Sequence, residues 1–398
     1  MTKNLLQQAE TLKNEIVRLR RDIHQNPELG FEEVRTAALV ADTLAEIGYD
    51  EIKTQVGRTG VVAQIGTGDG PTIGIRADMD ALPIHEATNL DFSSQTPGVM
   101  HACGHDSHTA MLLGAAHLLH QSFVEEGTEW NGNVRLLFQP CEEKFDEEGV
   151  SGATAMIADE ALANVDHVIA LHIISTLEAG VCQFHDGYGH ASVDSFEVWI
   201  RGDGGHGAYP HEGSDPLFIL STILPNIYGI PSRYINPLEP CVVSLGQITA
   251  GSAPNVIPSE VYVQGTIRAM KDETREKLWA ELEKALQLSE SLGGSYELVI
   301  HKGYPAGFNT ASVNDWMRDV VTDFAGSDKV LNKQSGMGAE DFSYMALEAP
   351  GAMFNLGANN GGGNHHTPVF DIDESVLPLG SAILAETARR YVMGKLDK

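Results

Sequence analysis

Apolar residues in the first half of the chain follow two alternating rhythms. From about residue 5 to 24 and from about 32 to 47 they recur with helical spacing, and the first run stops before Asn26-Pro27, where proline closes a helix. Short apolar runs at 61–65 and 72–76 read as strands, 107–121 as a helix, and 134–139 and 167–172 as two more strands. This alternation predicts an α/β sandwich around a mostly parallel sheet, a fold in which ligands gather just beyond the strand ends.

The rhythm changes in the middle. Residues 195–201 read as a strand, 215–228 as a helix, 242–248 and 261–268 as strands, 272–292 as a charged helix and 296–301 as a strand. That order, βαββαβ, is the split plan of a small ferredoxin-like α+β domain. It is flanked by HDGYGH (185–190) and KGYPAGFN (302–309), both rich in glycine and turn formers. Helix and strand signals resume from about Asn314. The predicted organisation is a discontinuous catalytic domain, 1–186 and 303–398, with a smaller domain, 187–302, inserted into it.

Composition narrows the functions. The 398 residues exceed what one hydrophobic core usually organises, in keeping with two domains. Fifty-five acids against 26 bases give a net charge of −29, a surface that repels phosphate backbones and anionic membranes. No nucleic-acid or membrane partner is therefore expected. The four cysteines, Cys103, Cys141, Cys182 and Cys241, stand far apart without a CxxC pair, and the N-terminus lacks the apolar core of a signal peptide. A cytoplasmic location follows as the expectation.

Candidate chemistry lies at predicted strand ends. HACGHDSH (101–108) places several possible ligands in a short loop before a helix; Cys103 and His105, flanking Gly104, could face one site. A thiolate with an imidazole suits zinc or a similar transition ion rather than magnesium or calcium. The strand at 134–139 delivers Glu142 and Glu143, and two adjacent carboxylates can divide labour, one binding metal and the other serving as general base. His172 ends another apolar strand, and His365 and His366 lie in a glycine-rich loop. Each signal has an ordinary structural explanation as well: a buried thiol, a solvated acid pair, a core histidine, a turn.

Together the motifs resemble the aminoacylase and carboxypeptidase-G type of metallopeptidase, in its hippurate hydrolase and auxin-conjugate amidohydrolase branch. LRRDIHQNPELGFEE (19–33), GIRADMDALPI (74–84), HACGHDSHTAMLLGAA, FQPCEE, ALH, GGHGAYPHEGSDP, APNVIP, GTIRAM, GAEDFSYM and HHTP follow in the order of that branch, over nearly the whole chain. The resemblance implies two divalent transition metals held by Cys103, His105, Glu143, His172 and His366, with Cys103 bridging and Glu142 as general acid/base. Zinc is the first expectation, with manganese, cobalt or nickel as alternatives. It further implies that Asp80 orients a ligand histidine, that His206 of the inserted domain reaches the scissile carbonyl, and that Asn255 and Arg268 hold the substrate carboxylate. The inserted domain would serve as lid and dimerisation module, making a homodimer.

Three features depart from the branch pattern: Cys141 where alanine is usual, a longer KFDEEGVSGA segment after Glu143, and the polar loop GANNGGGNHHTP. Glu340 and Asp341 match a segment lining the active site without a defined role. The expected activity is hydrolysis of the amide bond of N-acyl-amino acids. A dipeptidase or small-peptide carboxypeptidase is the nearest alternative; phosphoester hydrolysis and a catalytically silent metal-binding protein are more distant ones.

Overall fold

The computed structural model describes residues 5–126, 129–334 and 336–396. The chain divides into two compact units, Met1–Gly187 with Phe308–Gln334 and Tyr344–Lys398, and Tyr188–Gly307 with Ser335–Ser343.

The first unit is built on an eight-stranded sheet in the order Ile52–Val56, Gly60–Gly66, Asn133–Gln139, Thr72–Asp78, His167–Glu178, Gly351–Asn359, Cys182–Phe184, Val330–Asn332. The four strands from Asn133–Gln139 to Gly351–Asn359 run parallel, and antiparallel pairs flank them, so the sheet is mixed with a parallel centre. The central strands are buried along nearly their whole length, which explains why they read as continuous apolar runs rather than alternating ones. Helices Leu5–Gln25, His105–Glu126 and Leu377–Val392 pack on one another, and the latter two also against the sheet. His105–Glu126 is buried almost all round in its first four turns, which suits its run of alanine, leucine and methionine.

One strand differs from its sequence reading. The run predicted to end at His172 continues as His167–Glu178. Its neighbour Thr72–Asp78 stops alongside, with Arg76 paired to Ala170, so His172 emerges level with a strand end although its own strand goes on.

The second unit has the βαββαβ order. Its antiparallel sheet runs Cys241–Ala250, Glu260–Ala269, Ser192–Arg201, Ser295–Lys302, with helices Pro216–Arg233 and Asp272–Leu286 completing a separate core of isoleucine, valine and leucine. The single helix predicted for 272–292 breaks at Gln287 into Asp272–Leu286 and a short turn, Leu288–Ser291. Asp194, fully buried, accepts hydrogen bonds from Arg275 (2.5 and 3.0 Å), Trp279 Nε1 (2.8 Å) and the Gly303 N–H (3.1 Å), tying strand, helix and exit segment together. Removing one partner of such a buried pair costs ~3–5 kcal/mol, because the other is left charged and unpaired.

Candidate metal centre

Gly104 makes the first turn of the site. Its φ of +93° lies in the left-handed region, and a Cβ there would stand 2.4 Å from Ile173 Cγ2, so glycine alone lets the chain turn between Cys103 and His105. His105 opens the helix His105–Glu126 and is fully buried. Its Nδ1 lies 2.9 Å from the Asp80 carbonyl oxygen and 3.1 Å from Asp80 Oδ1. Both are acceptors, so Nδ1 carries the proton, and Nε2 is left buried with no hydrogen-bond partner among the described residues. The other oxygen of Asp80 accepts from the Glu143 N–H at 2.9 Å. One carboxylate thus orients both a histidine and the segment carrying the acid pair.

The remaining donors converge on Cys103. His172 donates through Nδ1 to the Ile173 carbonyl at 2.7 Å, leaving Nε2 3.5 Å from Cys103 Sγ. His366 Nε2 lies 3.4 Å from Cys103 Sγ and 3.4 Å from Glu143 Oε1, and His105 Nε2 is 3.8 Å from that same oxygen. Ligand atoms fall into sets within 4.8 Å of one another: Cys103–His105–His172, Cys103–Glu143–His366 and His105–Glu142–Glu143. Cys103 and His105 each belong to two of these sets.

The electrostatics fit a cation. Burial, then Glu143 and Glu142, push the Cys103 thiol well above its usual range. Burial opposes the charged form of His105, but the Asp78 and Asp80 carboxylates overcome it and raise the ring to about 10. The carboxylates that raise both groups are a concentration of negative charge that a divalent ion would balance. The orphaned Nε2 of His105 and the thiolate–imidazole–carboxylate mixture match a transition ion.

Two neighbouring histidines make hydrogen bonds of their own. His108 donates to Asp78 at 2.6 Å and accepts from the Ile173 N–H at 2.8 Å, while Asp78 also binds Arg76 at 2.7 Å, so this group holds structure although its atoms cluster like ligands. His365 Nε2 accepts from the Ser175 N–H at 3.1 Å. His101 is buried with neither ring nitrogen hydrogen-bonded among the described residues, and burial pushes it down to about 4.

Sequence reasoning missed the device that anchors the ligand helix. Arg20, fully buried, donates to Asp106 (2.8 Å), Glu374 (3.0 Å) and Asp371 (3.3 Å), and His24 Nδ1 lies 2.8 Å from the same Asp106 oxygen. Arg20 and His24 come from the LRRDIHQ motif, where a helical pair of basic residues facing inward was the available signal.

In the second unit, the short strand Gly205–His206 pairs with Val256–Ile257, and the Asn255 carbonyl accepts from the Gly207 N–H at 2.8 Å. His206 and Asn255 are thereby neighbours, both exposed. The His206 Nδ1 accepts from the Ala208 N–H at 3.0 Å, so in the neutral ring Nε2 carries the hydrogen and can donate. Arg268, half-buried on Glu260–Ala269, donates to Thr266 Oγ1 and the Ile267 carbonyl, and no hydrogen bond joins it to His206 or Asn255 among the described residues.

Residues 74–390 match peptidase family M20/M25/M40. The chain is 37% identical over 387 residues to N-acetyl-L-cysteine deacetylase of Bacillus subtilis, covering 96% of this chain and 89% of that protein. It is 37% identical over 389 residues to IAA-amino acid hydrolase ILR1-like 2 of Arabidopsis thaliana, covering 96% and 86%. Its fold is similar to the crystal structure of the Bacillus subtilis YXEP protein, a dinuclear metal-binding peptidase from the M20 family, with a TM-score of 0.83, 32% identity and coverage of 96% and 99%.

Proposed function

The chain belongs to peptidase family M20/M25/M40, and from that premise we propose that it hydrolyses the amide bond of N-acyl-amino acids, releasing a carboxylic acid and a free amino acid. The observation that carries this reading is the adjacency of Glu142 and Glu143 beside the donor cluster, with the Glu143 N–H tied to Asp80 and its Oε1 facing His105 and His366. Binding metal alone does not require Glu142, so a silent metal-binding protein is the weaker reading.

Cys103, His105, Glu143, His172 and His366 would hold two divalent ions. When bound, such ions act as Lewis acids and acidify water. Glu142, buried beside His105 and Glu143, would take the proton of the attacking water and deliver it to the departing nitrogen. His206, with its hydrogen on Nε2, donates to the oxygen that becomes negative in the transition state. Arg268 and Asn255 hold the amino-acid carboxylate, a local positive field within an acidic protein. Zinc is the assigned metal, on the thiolate; manganese, cobalt and nickel are the alternatives that metal analysis distinguishes.

A homodimer formed through the second unit is supported by two features of that unit. Its edge strand Cys241–Ala250 is ten residues long and largely exposed, and helix Pro216–Arg233 presents Leu217, Phe218 and Tyr228 to solvent. A reducing, cytoplasmic location is supported by four free cysteines, and no helix among the described residues is long and apolar enough to cross a membrane.

The test is a panel of acetyl-, benzoyl-, long-acyl- and indoleacetyl-amino acids alongside dipeptides, run with metal-loaded and metal-free protein. N-acyl-amino acids should turn over in preference to dipeptides, and verified removal of metal should abolish turnover until divalent ions return. Preference for dipeptides would make the protein a dipeptidase, and full activity without metal would remove the reading altogether.

A further inference from the structure

The turn that leads into Glu142 is gripped by a part of the chain to which no function has been assigned. Cys141 has a φ of +46°, a left-handed conformation that a residue with a side chain seldom adopts. Its backbone N–H donates to Glu33 Oε1 at 2.8 Å, and its carbonyl accepts from the Gly152 N–H at 2.8 Å. Its side chain lies directly on Gly30, where an added Cβ would meet Cys141 Sγ at 2.6 Å and Cα at 3.1 Å. Two separate segments, residues 30–33 and Gly152, therefore fix one strained residue through three contacts.

Glu33 is the centre of this grip. It is fully buried, and its second oxygen accepts from the Thr59 hydroxyl at 2.6 Å. Around it stand two more non-glycine residues with left-handed backbones, Phe31 (φ 66°) and Arg58 (φ 79°), with the Arg58 guanidinium 4.1 Å from the centre of the Phe31 ring. Arg58 also pairs with Asp146 at 2.5 Å, so the extended segment after Glu143 is fastened to the same framework. Such outliers persist only where the surroundings over-determine them. Downstream, the Glu143 N–H is held by Asp80, so the Glu142–Glu143 pair is fastened on both sides, by Glu33 before it and Asp80 after it.

We infer that Glu33 is a positioning residue for Glu142: by holding the Cys141 N–H it keeps that turn left-handed and sets the direction in which the Glu142 carboxylate leaves the chain. The inference rests on the reading of Glu142 as general base. It requires an acceptor oxygen at the position of Glu33 Oε1 rather than a full charge. Burial, then the neighbouring Asp80 charge, push the Glu33 carboxyl up to about 7, and both its ionised and protonated forms keep such an oxygen.

The test uses the metal-loaded protein with Glu33→Ala, Glu33→Asp and Glu33→Gln, read on the best N-acyl-amino acid of the panel. Alanine removes the acceptor, and aspartate is one methylene too short to reach. Both should keep wild-type metal content and KM within about threefold while kcat falls between about tenfold and about 100-fold, the range expected for a misdirected catalytic group. Glutamine keeps an amide oxygen in place and should return kcat to within about threefold of wild type. Should Glu33→Ala fail to fold, aspartate against glutamine carries the same comparison. In a Glu142→Ala background, substitution at Glu33 should cost nothing further in kcat, since both act through one group.

Unchanged kcat in the alanine and aspartate variants, parallel loss of metal, no recovery with glutamine, or a further loss without Glu142 would each overturn the inference. Glu142→Ala alone separates the two levels. If that variant is active, the reading of Glu142 is wrong; if it is inactive while Glu33→Ala matches wild type, only the role of Glu33 fails.

Discussion

His105 in the first unit and His206 in the second carry the same side chain in opposite tautomeric settings. The Nδ1 of His105 faces two acceptors on Asp80, so it bears a hydrogen and the neutral ring offers a lone pair on Nε2. The Nδ1 of His206 faces the Ala208 N–H, so it accepts and the neutral ring offers a hydrogen on Nε2. One neutral ring presents a lone pair at Nε2 and the other a hydrogen. They also differ in how firmly they are held. His105 is buried and oriented by a residue 25 positions away, whereas His206 is exposed and oriented by its own loop. Tautomer is thus decided by the second partner, and firmness of hold by burial.

The largest effect belongs to the acid pair of the first unit: Glu142→Ala should lower kcat by ~100-fold to ~10,000-fold with metal retained, and Glu143→Ala should lose metal as well. Activity assays paired with metal analysis decide it, and the reverse pattern would exchange the two roles.

Next in size, His206→Ala should lower kcat by ~100-fold to ~1,000-fold, the usual cost of an oxyanion donor. His206→Gln, which still offers an N–H, should recover part of that loss, while His105→Gln should not hold metal. Equal behaviour of glutamine at both positions would remove the distinction between donor and ligand.

The smallest effect is expected at Arg268. Arg268→Ala should raise KM by about tenfold with kcat changed much less, and Arg268→Lys should restore only part of it, since an ammonium lacks the two-pronged geometry. A fall in kcat without a change in KM would move Arg268 from substrate binding to the chemical step.

Much of the fold was legible because its signals are local. The buried parallel strands appear as apolar runs, and the second unit's strand and helix order can be read from period changes and glycine-rich flanks. The donor types were legible too, since HACGHD concentrates thiol and imidazole before a helix. Less visible were features set by a neighbour. His172 reads as a strand end but lies within His167–Glu178, because the adjacent strand is the one that stops. His108 reads as one more possible ligand of HACGHDSH until its hydrogen bond to Asp78 is seen.

Period, propensity and side-chain functional groups are properties of short stretches of chain, and they suffice to mark most helices and strands and the chemistries available. Packing settled which nitrogen of His105 and of His206 is free, that Asp80 reaches His105 across 25 residues and Glu143 across 63, and that Glu33 grips Cys141 across 108. Those outcomes depend on partners brought together by packing. A hydrogen bond depends on angstrom-scale distance and direction, which no local pattern encodes.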